Sequence, residues 1–377
     1  MNVTAAAPDD RFAHWPRLAA RLLLFALALI LAASALVPIK AGKQESQLSG
    51  FLENVSGAQK SAAERPRDDD LALYDRVIAR IGKGENYYAV AAQEHRGANY
   101  PLRPGVAVRL PTLAYLLTWL GDRGLGAEVV VVGEMIAAAV LMVAVLWAWW
   151  RRLGEEPGGA RYQLIGTTLM FMGAALGMNR YYFVLHELWA GMLVALAIGL
   201  HRPGRKWAAA LAVAALALAI REHVLPVVLL LAAMALWRRD WKEAAAWSGL
   251  VALFALFMVW HLGQVAQHVV PSDVEGPDWL VMRGLSGWLS NVILSSNLRF
   301  LPHFIAGPLV VLMVLGWAGW KSPLGTTATL LYLGYGLAFM IAGRPDNFYW
   351  GAVIAPAMFV GLALAPRAIA SLAKAAR

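Results

Sequence analysis

The chain has 377 residues, 59% of them hydrophobic and 15% charged, with 16 tryptophans and a formal charge of +9. Soluble domains carry roughly 25% charged residues, so this balance excludes an ordinary soluble globular protein and indicates a polytopic membrane protein. The basic excess sits in short clusters beside apolar runs, which argues for orientation in a bilayer and against a nucleic-acid partner, and the absence of cysteine excludes disulfides, thiolate nucleophiles and thiolate metal sites.

Apolar runs of about 17 to 25 residues signal spanning helices. About ten are expected, near residues 20–38, 127–150, 162–178, 183–200, 206–220, 223–237, 244–264, 303–320, 324–342 and 350–366. The two runs flanking Arg221-Glu222-His223 are short enough to form a re-entrant hairpin instead. Ala33 to Ala35 resembles a signal-peptide cleavage site, so removal of the first span is an alternative; the loop after it is external either way. Basic residues mark every second loop: Arg11, Arg17 and Arg21, then Trp149 to Arg152, His201 to Lys206, Trp237 to Lys242, Lys321, and a tail with Arg367, Lys374 and Arg377. That alternation predicts both termini in the cytoplasm. The expected architecture is all-α, one transmembrane domain over residues 1–377, with a long external loop at 39–110 and a second external segment at 264–304. Pro and Gly punctuate the second segment, and its tryptophans suit the membrane interface.

The first external loop contains RPRDDDLALYDRVIARIGKGENYYAVAAQEHR, from Arg65 to Arg96. Leu71, Tyr74, Val77, Ile78 and Ile81 recur at helical spacing as one apolar stripe, with Arg76, Arg80 and Lys83 opposite. The spacing predicts an amphipathic helix lying on the membrane surface. For a helix beginning by Asp69, steps of about 100° place Asp70 with Tyr74 and Val77 on the inward side and Asp69 on the basic side. Asp68 or Asp69 suits the N-cap, and Asp75 falls at the stripe's edge. The alternative for Asp70 is that it, too, only caps.

Three further polar clusters fall at expected external helix ends, where ionisable residues are costly and therefore candidates for function. They are Arg180, Tyr181, Tyr182, His186 and Glu187; Arg221, Glu222 and His223; and Arg344, Asp346 and Asn347. Each alone also reads as a neutralising pair or a histidine satisfying a carbonyl. Together, below one acidic loop, they describe a basin for a substrate with an anionic head and a lipid tail.

Asp70-Leu71-Ala72-Leu73-Tyr74, then Gly84-Glu85-Asn86-Tyr87-Tyr88, then YPLRPGVAVRLPTLAYLLTWLG from Tyr100 to Gly121, resembles the first external loop of GT-C class glycosyltransferases. The pattern is most similar to the polyprenol-phosphate-mannose-dependent mannosyltransferases, in which an Asp-Leu-x-x-Tyr element precedes a Gly-x-x-Tyr step and a Tyr-Pro segment. The likeness covers the loop closely and the remainder only as topology. It implies inverting transfer of one sugar, mannose by nearest likeness, from a polyprenyl-phosphate donor to a hydroxyl of a glycolipid, glycan or protein. Asp70 matches the family's catalytic aspartate. The link from the first span to Asp70 is longer than the family's, and the later functional residues do not align, so the other candidates rest on topology and chemistry. Arg344, Arg221 and His303 are chosen on that basis, the two arginines for the leaving phosphate. Tyr100, Tyr181, Tyr182, His186 and Glu187 are candidates for sugar hydroxyls, with Arg109, Arg180, Glu222, His223, Asp346 and Asn347 completing the substrate-binding set. No cofactor is expected; a divalent metal on the aspartates is disfavoured because Asp69 and Asp70 fall on different faces. The expected partners are the lipid-linked donor, its acceptor and membrane lipids. The expected setting is a bacterial plasma membrane with the site external. A transporter or flippase of a lipid-linked sugar, and a noncatalytic assembly subunit with a GT-C-like fold, are the alternatives.

Overall fold

Helices dominate because the sequence is long apolar runs punctuated by Gly, Pro and charge. The computed structural model describes residues 10–39, 69–121 and 127–377, and among these every regular element is helical. Asp68 and the rest of the stretch 40–68 lie outside the described residues, as do 1–9 and 122–126. The α-helices are α1 (Arg17–Leu36), α2 (Asp69–Ile81), α3 (Tyr87–Gly97), α4 (Thr112–Gly121), α5 (Ala127–Glu155), α6 (Gln163–Ala174), α7 (His186–Leu200) and α8 (Ala208–Ile220). They continue as α9 (Leu225–Trp237), α10 (Trp241–Ala266), α11 (Gly284–Leu294), α12 (His303–Gly319), α13 (Pro323–Ile341), α14 (Ala355–Met358) and α15 (Val360–Ala375).

Each apolar run expected to span overlaps at least one of these helices. Among the described residues, five stretches are long and apolar enough to cross a membrane: α1, α5 from Val132, α10, α13, and Ala355–Ala375, which joins α14 to α15. The others are shorter. α8 and α9 have 13 residues each, about 20 Å at 1.5 Å per residue, against a hydrocarbon core of ~30 Å. Around Arg221, α8 packs chiefly on α7 and α9 chiefly on α10, so the two lean on different neighbours.

The centre of the bundle is α7. Apart from its first turn it is apolar on all sides, and such a helix has no face to offer water; residues His186 to Gly199 are all buried. α5, α8 and the 3-10 stretch Pro345–Val353 pack around it. Two buried indoles of this core find acceptors, Trp149 Nε1 donating to Ala195 O at 2.9 Å and Trp317 Nε1 to Met358 O at 3.3 Å. One glycine fixes a close approach: a Cβ on Gly351 would lie 1.9 Å from the Asn291 carbonyl oxygen of α11.

The predicted amphipathic helix is α2. Leu71, Val77 and Ile81 are buried, Tyr74 and Ile78 half-buried, and Leu73 is buried as well. The stripe packs on α3, α4 and the main core rather than lying on lipid, because a third surface from α4 covers it. The basic side is also occupied: Arg76 pairs with Glu94 at 2.8 Å, and Arg80 with Glu94 at 3.0 Å and with Glu85. Gly84, at φ +86°, lets the chain reverse after α2, and Asn86 then caps α3 by accepting from the Tyr88 and Ala89 amides.

The two expected external segments form one cap. Asp273 accepts from Arg96 Nε at 2.6 Å, Arg96 Nη2 at 2.9 Å and the Val270 amide at 2.7 Å, while Arg103 Nη2 donates to its carbonyl at 2.8 Å. The Arg96 guanidinium holds the Asp273 carboxyl down at about 2. His95, buried nearby, has its Nδ1 3.0 Å from the Pro101 carbonyl. Burial lowers its pKa to about 4.

Two predictions follow from this packing. Gly351→Ala drives a methyl into the α11 backbone, and overpacking of this kind costs about 1–3 kcal/mol; a lowered melting temperature in detergent is expected, and an unchanged one would show that the two segments can separate freely. Between pH 6.5 and about 4 the unfolded chain takes up a proton at His95 that the folded chain refuses, so His95 withdraws stability as the pH falls through that window. Thermal unfolding of His95→Gln should therefore depend less steeply on pH from 6.5 to 4 than that of the wild type, whereas parallel profiles would show that His95 does not titrate differently in the two states.

Candidate functional site

At the end of the bundle carrying α2, a cavity of about 430 Å³ opens between the cap and the helix ends. Asp70 and Tyr74 enter it from α2, Tyr100 from the turn after α3, and Arg109 from the approach to α4. Tyr182 comes from the turn before α7, Arg299 from the turn after α11, and Asp346 and Tyr349 from the 345–353 stretch. Leu185, Leu188, Leu294 and Phe348 supply apolar wall.

Local capping sets these positions. α2 begins at Asp69, so Asp70 lies in its first turn, and the Tyr100 hydroxyl donates to Asp70 Oδ1. Ser296 accepts from the Leu298 amide and starts the 3-10 turn Asn297–Phe300, which presents Arg299. Asn347 Oδ1 accepts from the Arg344 amide at 3.1 Å, and its Nδ2 donates to the Tyr349 hydroxyl at 3.2 Å.

The cavity's two arginines differ in how they are held. Arg109 is fixed on several sides: its Nε donates to the Tyr74 hydroxyl at 2.9 Å and its Nη2 to the Tyr349 hydroxyl at 3.2 Å. Its carbonyl accepts from the Tyr87 hydroxyl at 2.6 Å, and its Nη2 lies 3.8 Å from Glu187. Burial raises the pKa of the Tyr74 phenol, keeping it a neutral hydroxyl. Arg299 is half-buried and donates from Nη1 to the Tyr182 hydroxyl at 3.3 Å. A guanidinium held by a neutral acceptor retains its charge and donors for an incoming anion.

Behind the wall lies a layer of charge with a fully buried pair at its centre. Glu187 and Arg221 have no solvent exposure and meet at 2.7 Å. Arg221 also pairs with Glu222, which lies 3.5 Å from His223 Nδ1. The His223 ring packs on Trp350 with centroids 4.4 Å apart, and the His186 ring meets Tyr74 edge-on at 5.2 Å.

The candidates named from sequence thus divide by position. Asp70, Tyr100, Arg109, Tyr182 and Asp346 line the cavity. His186, Glu187, Arg221, Glu222, His223 and Asn347 form or adjoin its backing and are absent from the lining. Tyr181 packs edge-on against Tyr182 at 4.9 Å. Arg344 pairs with Asp346 at 3.1 Å. Arg180 is exposed in the same turn as Tyr182, and His303 is exposed at the start of α12 beside Phe304. Sequence reasoning passed over four polar lining residues, of which Ser295 gave no signal in the sequence. Tyr74 counted only as apolar stripe, Tyr349 stood beside Asp346 and Asn347 unnoticed, and Arg299 was an isolated arginine in the second external segment. That lone cation between apolar neighbours was the available signal. Among the described residues, no three His, Asp or Glu side chains converge as a metal site.

The two kinds of arginine predict different outcomes. Removing one member of a buried ion pair costs about 3–5 kcal/mol because the other charge is stranded, so Arg221→Ala and Glu187→Ala should each lower the melting temperature and the yield of monodisperse protein. Arg299→Ala, which loses one contact to a hydroxyl, should melt close to wild type. Equal stability of all three would mean that the buried layer is neutralised in another way. Comparison with models of protein families, with curated proteins and with solved structures finds no match for this chain.

Proposed function

We propose that the chain is an inverting, GT-C-like glycosyltransferase that moves a single sugar, mannose on the nearest likeness, from a polyprenyl phosphate to an acceptor hydroxyl at the external face of a bacterial plasma membrane. On this reading the shorter apolar helices complete a bundle of about ten spans. The observation that carries it is the meeting of Asp70, the aspartate of the Asp-Leu-x-x-Tyr motif, with Tyr100 and Arg299 in one cavity. Its volume falls in the range of small-molecule sites.

The proposed chemistry assigns each group a task. Asp70 takes the proton of the acceptor hydroxyl as its oxygen forms a bond to the anomeric carbon, a general-base role. The Tyr100 hydroxyl, bonded to Oδ1, sets the carboxylate's orientation and leaves Oδ2 for the acceptor. The bond from the anomeric carbon to the phosphate oxygen breaks on the opposite face, and the leaving phosphate keeps the electron pair. Arg299 stabilises that anion, with Arg109 supplying fixed positive charge behind it. Arg299 takes the part that Arg344 and Arg221 held on sequence grounds, since Arg221 is enclosed and Arg344 already pairs with Asp346. Tyr182 and Asp346 remain as partners for sugar hydroxyls. Transporters gather such groups between related halves near the midplane; a cavity set at helix ends favours transfer over transport.

The test is incubation of purified protein with radiolabelled polyprenyl-phosphate sugars and extracted membrane lipids. Wild type should label one lipid, glycan or protein fraction, and Asp70→Asn should reduce labelling by at least about 100-fold while still binding donor. Asp75→Asn alters charge on the same helix away from the lining and should stay within a few-fold. Arg299→Ala should weaken donor use by the equivalent of about 1.5–3 kcal/mol, the value of a hydrogen bond to a charged group. Full activity of Asp70→Asn would remove the assigned base, and transfer from no polyprenyl-phosphate sugar would count against the enzyme class itself.

A further inference from the structure

A second and larger cavity, about 730 Å³, runs between α1, α12 and α13, remote from the site lining. Its walls are almost wholly apolar: Leu27 lies on α1, Val314 on α12, and Leu330, Leu333 and Leu337 on α13. The last three are 46%, 50% and 61% exposed, so the groove opens sideways between α1 and α13, both long and apolar enough to span a membrane. Its α13 wall, from Thr326 to Met340, covers about 21 Å at 1.5 Å per residue, more than the ~15 Å hydrocarbon depth of one leaflet.

One end carries a charge. Arg11 lines the groove there, with Nη2 donating to Thr326 Oγ1 at 2.7 Å and to Trp320 O at 3.4 Å. Its Nε is buried without a partner, and among the described residues no carboxylate pairs with it: the adjacent Asp10 faces Arg367 at 3.6 Å. An apolar slot of leaflet length ending at a guanidinium that no described carboxylate neutralises is complementary to an amphiphile with one anionic group. Arg11 also precedes α1, whereas the Asp70 cavity lies beyond that helix's other end, where Pro38 O accepts from Ser286 Oγ near the cap. The groove's head-group end and the Asp70 cavity are therefore at opposite ends of the bundle.

We infer that this groove is a binding site for an anionic phospholipid, with an acyl chain along α13 and the phosphate at Arg11. Occupation would brace α1, which otherwise rests on α12 and α15 along one side.

The test uses full-length protein purified in detergent and depleted of lipid, with thermal unfolding and native mass spectrometry as readouts. Dioleoylphosphatidylglycerol should raise the melting temperature by several degrees more than dioleoylphosphatidylcholine does and should remain bound one per chain. Arg11→Gln should bring the two lipids level, and Arg11→Lys should restore the difference. Leu333→Trp fills the groove from a half-exposed position and should abolish retention without lowering the lipid-free melting temperature. Equal effects of the two lipids on wild type, or a preference that survives Arg11→Gln, would overturn the assignment. Retention of polyprenyl phosphate but not phosphatidylglycerol, or a dimer in light scattering that Leu333→Trp dissociates, would assign the groove to another occupant and overturn it too. None of these outcomes depends on glycosyl transfer.

Discussion

Glu187 has no contact with solvent, and it must be neutralised where it stands. An isolated carboxylate in an apolar interior is far too costly to persist, so two cations are drawn to it: Arg221 at 2.7 Å and Arg109 at 3.8 Å. Those two come from the turn between α8 and α9 and from the approach to α4. Through Tyr74 and Tyr349, Arg109 reaches α2 and the 345–353 stretch as well. One buried charge in the first turn of α7 thus fixes the relative placement of the elements that form the Asp70 cavity. The rest of α7 is apolar and buried and gives the bundle its axis, while its polar first turn gives the site its register.

The cap is organised by charge of a different kind. Arg76, Arg80 and Arg96 are partly exposed, and pairs that keep one partner in solvent contribute little to stability. Their role lies in alignment: α2 is tied to α3 through Glu94, and α3 to the 264–304 segment through Asp273. Stability of the cap comes instead from Val77, Ile81, Tyr87, Val90 and Leu102, which share a small core with Val265 at the end of α10. Asp70 is therefore borne on a helix packed against protein on two sides, and the Tyr100 hydroxyl meets it from a turn that the same core holds.

Local patterns made much of this legible in the sequence. The helix starting at Asp69, the inward placement of Asp70, and the apolar runs coinciding with helices all follow from periodicity, which depends on neighbours a few residues apart. Leu73 shows where periodicity stops, since it is buried although it lies off the stripe that the spacing defines. The same limit applies to the arginines. Arg221 has Glu222 beside it in the sequence, but only the tertiary fold adds the enclosed Glu187 carboxylate to it and puts a tyrosine hydroxyl beside Arg299. Apolar composition does not fix helix length either. α8 and α9 are as apolar as a spanning helix, but their 13 residues each are a matter of where Arg221 and the Arg238 turn interrupt the pattern.

The contrast between those arginines explains how a strongly polar site is compatible with a bundle of apolar helices. Charges whose positions must not change are enclosed and paired, as Arg221 is by Glu187 and Glu222. Arg109 is intermediate, held by two phenols and a distant carboxylate, so that its field reaches the cavity while its geometry stays fixed. Arg299 has the least constrained partner and the direct view of the cavity. A graded arrangement of this kind presents positive potential to a ligand with little reorganisation when the ligand arrives, because the groups that would otherwise relax are held by the fold before any anion enters.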